Sequence, residues 1–220
     1  MRKFLIVALC FISGSSFAQL RLGVKGGFEM AKFFDKGSDQ QYFSLSNINT
    51  IQAGLIAEKD LSDYFFFQSG LGYIQKGGFK QFTGQANSGT TSTLKLNYIQ
   101  VPVNIVYKES INKQIKGMVS VGFYGAVGIS GTEKGYDQTT TGTNNIDRKV
   151  QFSNEAVYVN DATVVKPFDF GYNLSAGIEY KKFQFTLDFS RGFRTIYPFG
   201  TTNFANQTLG ISVAYLMPWK

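Results

Sequence analysis

Apolar residues alternate with small or polar ones along most of this chain. The alternation is longest from Phe168 to Phe193. Phe168, Phe170, Tyr172, Leu174, Ala176, Ile178 and Tyr180 share one parity, and Asp169, Gly171, Asn173, Ser175, Gly177 and Glu179 the other. After Lys181 and Lys182 it resumes, with Phe183, Phe185, Leu187 and Phe189 against Gln184, Thr186, Asp188 and Ser190. A period of two is that of a β-strand, whose successive side chains point to opposite faces. A two-residue connection sets Tyr180 opposite Phe183 and makes the two apolar faces coincide. Lys-Lys lacks the Gly or Asn of a primed turn, so the pairing rests on register rather than on turn chemistry.

The same ruler, laid along the rest of the chain, predicts strands over 20–30, 50–61, 64–82, 93–108, 114–131, 168–180, 183–193 and 206–219. Leu94 and Leu96 fall on the parity opposite to Ile99, Val101, Val103 and Ile105, which predicts a bulge near Asn97 and Tyr98. Pro102 cannot donate to a ladder and calls for a bulge or a locally unpaired position. Glycines in the third strand predict bending or close approach inside a narrow barrel. The polar stretches 33–48, 83–92, 132–164 and 194–205 read as long loops, and 150–165 alternates enough to form a hairpin arm.

The connections therefore alternate long and short. With both chain ends on one side, every short turn falls on that side and every long loop on the other. An even strand count with this alternation is the pattern of an outer-membrane barrel, with short periplasmic turns and long external loops. The predicted fold is all-β: an eight-stranded antiparallel up-and-down transmembrane β-barrel. A strand of about 10 residues tilted near 45° rises about 23 Å, which matches an apolar band of about 25 Å. Tyr64, Tyr107, Tyr180, Phe183 and Trp219 cluster at the short-turn ends, where an interfacial girdle belongs.

The charges decide which face looks inward. Arg21, Lys25, Glu29, Glu58, Glu179 and Asp188 lie mid-strand on the polar parity. Facing lipid, basic residues near the midplane cost about 2–4 kcal/mol each. Facing the interior, opposite charges can pair, and side chains just fill an eight-stranded barrel. These six are expected to form an interior ion-pair network that fills and pins the barrel. A proton or ion path is the sharper alternative.

Residues 1–18 read as a cleaved secretory signal, with Arg2 and Lys3, an apolar run from Phe4 to Ile12, and Ser16-Phe17-Ala18 before Gln19. Residues 19–220 then form the barrel domain. No apolar run has the length of a membrane helix, so any spanning structure is a barrel. The single cysteine, Cys10, leaves with the signal, and the chain of 220 residues has no histidine. No disulfide, thiolate metal site or histidine-based catalysis is therefore expected, and no cofactor. The net charge of +7 is spread out, with no basic run longer than two, which argues against nucleic-acid binding.

The last strand reads Thr208-Leu209-Gly210-Ile211-Ser212-Val213-Ala214-Tyr215. It resembles the polar-x-Gly-x-x-apolar-x-apolar signal read by the outer-membrane assembly machinery, carried here by Thr208, Gly210, Val213 and Tyr215. It departs from that signal by ending in Lys220. More of the chain resembles the PorT-like family of outer-membrane β-barrels. The matching pieces are Gly23-Val24-Lys25-Gly26-Gly27-Phe28, Leu96-Asn97-Tyr98-Ile99-Gln100-Val101-Pro102-Val103, and Ala176-Gly177-Ile178-Glu179-Tyr180. The resemblance implies a Gram-negative outer-membrane barrel, with type IX secretion or gliding machinery as one setting. It supplies no catalytic residue.

The expected role is non-enzymatic: a structural or accessory protein held in outer-membrane lipid, with a protein partner in a secretion or surface complex as one form of it. The alternatives are a ligand-binding or adhesion barrel acting through its external loops, with Tyr136, Arg148 and Tyr158 as candidate contacts, and a narrow pore. Ser-Lys chemistry, or paired-carboxylate chemistry at Asp137, Asp147, Glu155 and Asp161, is the remaining enzymatic option.

Overall fold

In the computed structural model, residues 20–35, 43–83, 89–139, 141–155, 162–198 and 203–218 are described. The expected signal segment, Tyr158, Asp161 and Trp219 lie outside them. The chain forms strands β1 (Leu20–Asp35), β2 (Phe43–Ser46), β3 (Ile48–Asp60), β4 (Phe65–Thr83), β5 (Gly89–Ser110), β6 (Ile115–Thr139), β7 (Gly142–Phe152), β8 (Ala162–Val165), β9 (Phe168–Tyr180), β10 (Phe183–Gly192) and β11 (Phe204–Pro218). Eight of them close a ring. β1 pairs β3, β3 pairs β4, and so on through β5, β6, β9, β10 and β11 back to β1, every pair antiparallel. Closure satisfies every edge, which a sheet in lipid requires.

The register follows the predicted parity. Tyr180 sits opposite Phe183, and the ladder runs from there to Gly171 opposite Gly192. Phe28, Leu55, Phe123 and Ile211 point outward and are among the most exposed large apolar side chains. Outside a barrel that surface meets lipid, where it is at no disadvantage. The polar parity points inward and is buried: Glu29, Glu58, Gln68, Asn104, Lys108, Glu179, Gln184 and Asp188.

Two local expectations resolve in an informative way. The register does shift opposite Asn97 and Tyr98, but the extra residue is on β6, between Gly128 and Ser130. Leu94 and Leu96 keep the inward parity of Tyr98 throughout β5. They are apolar and inward because β5 has left the membrane at that level, where the exterior is water and the interior is the apolar side. Pro102 pairs with Tyr124 of β6, while the β4–β5 ladder skips from Ser69–Val103 to Gly72–Gln100. The Ser69 hydroxyl donates to the Pro102 carbonyl at 2.7 Å and recovers one of the lost bonds.

The long connections are more ordered than loops. β5 and β6 have 22 and 25 residues, about twice what the membrane requires. Beyond the apolar band they continue as an external sheet, extended by β2 on β4 and by β7 on β6. The stretch expected as a polar loop from 132 is mostly the β6–β7 hairpin. Of the expected hairpin arm over 150–165, residues 150–152 end β7 and 162–165 form β8, which pairs with β7 in parallel rather than as a hairpin, and residues 156–161 lie outside the described residues.

Candidate functional site: the barrel interior and its external sheet

The interior is filled at three levels. At the periplasmic end, Arg21 of β1 bonds Glu58 of β3 and, at 3.0 Å, Glu179 of β9. Lys108 of β5 lies 2.6 Å from each of the same carboxylates. Two cations thus face two carboxylates, and Gln68 and Gln184 donate to Glu58 at 3.0 Å. The Phe66 ring lies 4.5 Å from the Lys108 ammonium and 5.9 Å from the Arg21 guanidinium, adding cation–π attraction. Buried pairs offset their desolvation only when their remaining lone pairs are satisfied. Glu58 meets that condition, with Arg21, Lys108 and two amides around it.

Above this floor, Lys25 pairs with Asp188 at 3.0 Å, and the Gln52 amide donates to Asp188 at 3.3 Å. Lys25, Glu29, Asn104, Asn173, Asp188 and Thr208 line a cavity of about 90 Å³, room for several water molecules. Glu29 lies beside Thr208 and joins no ion pair among the described residues. The six charges expected as one network therefore fall into a floor cluster, a Lys25–Asp188 pair and a separate Glu29.

The third level closes the external mouth. Lys76 of β4 donates to Asp169 of β9 at 3.0 Å, and Tyr124 and Asn206 donate to the same carboxylate at 3.2 and 3.0 Å. The Lys76 ammonium stands 3.7 Å from the Tyr124 ring centre. Phe33, Ile74, Leu94, Leu96, Tyr98 and Phe204 pack over this pair as an apolar core. Further out, Lys80 pairs with Glu133 at 2.8 Å and donates to Tyr197 at 2.9 Å. Glu133 also accepts from Ser92 at 2.7 Å and from Thr163. Burial alone would raise the Glu133 carboxyl, but Lys80 and the two hydroxyls outweigh it and hold it below its ordinary value.

Lys76, Lys80, Lys108, Glu133 and Asp169 were not singled out from the sequence. Asp169 and Lys108 sit on the polar parity of their strands, which was the available signal. Lys76 too is on the polar parity of its strand, that of Gln68, Gly70 and Gly72.

The external candidates do not form one contact patch. Tyr136 lies on β6 opposite Asn145, and Arg148 lies on β7 opposite Glu133, which puts the two on opposite faces of the hairpin. Both are strand residues rather than loop residues. Of the candidate acid groups, Asp137 accepts from Thr90 at 2.7 Å, Asp147 pairs with Lys134 at 3.4 Å, and Glu155 is exposed. No constellation joins them among the described residues. In β11, Thr208 and Gly210 face inward while Val213 and Tyr215 face outward, so the expected assembly signal is split between the two faces.

Structures similar to this chain include the outer membrane protein OprG from Pseudomonas aeruginosa, with a TM-score of 0.48 and 10% identity over 92% of this chain and 97% of that one. Neisserial surface protein A has a TM-score of 0.41 and 10% identity, covering 88% of this chain and 96% of its own. Ail of Yersinia pestis, solved in complex with the heparin analogue sucrose octasulfate, has a TM-score of 0.40 and 9% identity, covering 90% and 99%. No curated protein matches the chain. Residues 17–197 match the family described as outer membrane protein beta-barrel domain. With its closed ring of eight strands, its apolar outer band and its filled polar interior, the chain belongs to that family and is an integral barrel of the Gram-negative outer membrane.

Proposed function

We propose that this protein is a non-catalytic accessory barrel that works through its external sheet, as a docking element for a surface or secretion complex. The observation that carries this reading is the contrast between its two parts. The interior is closed at the floor and again at the mouth. Outside, β5, β6 and β7 present a polar outer face with Thr93, Lys95, Thr132, Lys134, Tyr136 and Lys149 toward solvent. A filled interior favours docking over conduction, and the long ordered strands above the membrane offer a surface for a partner. The PorT-like segments support a secretion or gliding setting. In this reading residues 1–18 are the cleaved leader and β11 is presented to the assembly machinery.

Photo-crosslinkers placed at Tyr136 and Thr132 in living cells test this. A discrete protein adduct is expected, absent from the same probe placed at lipid-facing Phe123. Adducts with lipid or glycan alone sink the docking reading and favour adhesion. Planar-bilayer recordings of the purified protein are expected to show no discrete conductance steps, and steady steps favour the narrow pore.

A further inference from the structure

One sector of the barrel wall combines two cations that have no acidic partner among the described residues with a groove in the apolar band. The cations lie in one register row at the external end of the band. Lys32 of β1 is opposite Gln207 of β11, Gln207 is opposite Arg191 of β10, and Arg191 is opposite Tyr172 of β9. All four are on the outward parity of their strands. Lys32 and Arg191 are two strand spacings apart, roughly 10 Å. The Arg191 guanidinium reaches across β11 and stacks 3.2 Å from the Phe34 ring centre, which draws it toward Lys32. Neither cation has an acidic partner among the described residues.

Directly below, the same four strands carry the groove. Its rows are Phe28–Ile211–Leu187–Ala176 and Gly26–Val213–Phe185–Ile178. Gly26 and Ala176 are the dips, and Phe28, Phe185 and Leu187 form the walls. Phe28 lies four residues before Lys32, about 13 Å along the strand, which is the length of an acyl chain hanging from a headgroup held at Lys32. An anion at the headgroup level with apolar chains beneath it is the ligand this sector fits. On the external side of a Gram-negative outer membrane, the lipid of that description is a phosphorylated glycolipid.

We infer that Lys32 and Arg191 grip a phosphate of an outer-leaflet glycolipid of the lipid A type, while the groove between β1 and β9 seats one of its acyl chains. Stacking on Phe34 holds the guanidinium plane fixed with its donors free for a bidentate phosphate contact. The opposite wall supplies an internal comparison. Lys95 and Lys149 flank Thr132 in a similar outward row on β5, β6 and β7, beyond the apolar band. This inference does not depend on what the external sheet binds.

The test is lipid retention by the purified, folded barrel, read by native mass spectrometry after exchange into detergent containing lipid A, lipid A stripped of its phosphates, or phosphatidylglycerol. The wild type is expected to retain phosphorylated lipid A over both competitors. Lys32→Gln with Arg191→Gln is expected to lower that retention about thirtyfold, as two surface charges imply. Gly26→Leu lowers it several-fold with both cations intact; a Cβ at Gly26 meets only the Gln52 carbonyl, at an ordinary 3.8 Å contact, so the barrel still folds. Lys95→Gln with Lys149→Gln leaves retention unchanged. Folding of each variant is checked by its shift on an unboiled gel. Equal retention of the dephosphorylated lipid or of phosphatidylglycerol overturns the inference, as does an equal loss in the Lys95/Lys149 variant.

Discussion

Lys76 and Asp169 meet at 3.0 Å inside the barrel, one from β4 and one from β9, and both are sealed from solvent. Three strand boundaries separate them around the ring, so the pair spans the interior and ties two walls together. Removing either partner leaves an uncompensated charge in an apolar surround. Lys76→Met alone is expected to cost about 3–5 kcal/mol, and Asp169→Leu alone a similar amount. The double variant recovers most of the loss. Urea titration of the refolded barrel, read by gel shift, measures all three. Additive losses would mean that the two side chains act independently.

Lys181 carries the one positive φ outside glycine among the described residues, at 56°. It is the first residue of the two-residue turn between β9 and β10. The left-handed region costs a residue with a Cβ about 1–2 kcal/mol. Glycine escapes that cost but loses backbone entropy. Lys181→Gly is therefore expected to stabilise the barrel by up to about 1 kcal/mol, seen as a higher urea midpoint at unchanged slope. Lys182→Gly, at a position without positive φ, is expected to bring no gain.

Gly122 and Gly125 lie three residues apart on β6 and face opposite sides. A Cβ at Gly122 would run into the Val103 carbonyl and the Asn104 side chain, whereas one at Gly125 meets nothing. Gly122→Val is expected to cost about 1–3 kcal/mol by overpacking the interior. Gly125→Val adds apolar surface toward lipid and is tolerated. Folding yield into vesicles separates the two, and equal yields would contradict the assigned faces.

The external sheet has its own pH dependence through Glu133 and Lys80. The Glu133 carboxyl is held below its ordinary value when folded, so its stabilisation is complete above that ordinary value and is lost as pH falls through the folded one. Burial would lower Lys80, but Tyr197 and Glu133 outweigh it and raise it, so its contribution is complete below the ordinary lysine value and is lost only at more alkaline pH. Protection of β8 amides in hydrogen exchange is expected to be flat through neutral pH and to drop in acid below the usual carboxylate range. In Glu133→Gln that acid limb disappears while the ring strands keep their protection. An unchanged acid limb would assign it to other carboxylates.

Much of the ring was legible in the sequence. Period-two alternation marked all eight ring strands, the Tyr180–Phe183 register and the irregularity near Tyr98, because lipid on one side and a packed interior on the other impose a strict parity. The strand ends were less legible. Leu94, Leu96 and Phe33 lie where the strands leave the membrane, and there the apolar side turns from outward to inward. A ruler tuned to lipid-facing residues reads that reversal as a break. The β6–β7 hairpin looked like a loop for a related reason: both of its faces are largely wet, so polar residues carry no alternation.

The sequence by itself determined that the chain is a barrel of this size, which parity faces lipid and that Arg21, Lys25, Glu29, Glu58, Glu179 and Asp188 point to the interior. Local periodicity is enough for that, since each strand is judged against its own two faces. Only the tertiary structure decided which charges meet. Whether Arg21 finds Glu58 and Glu179, whether Lys108 completes that floor, and whether Glu29 stays apart depend on the stagger between strands distant in the chain. The same holds for the outer surface, where Lys32 and Arg191 are 159 positions apart in sequence and become neighbours only when β1 closes the ring against β11.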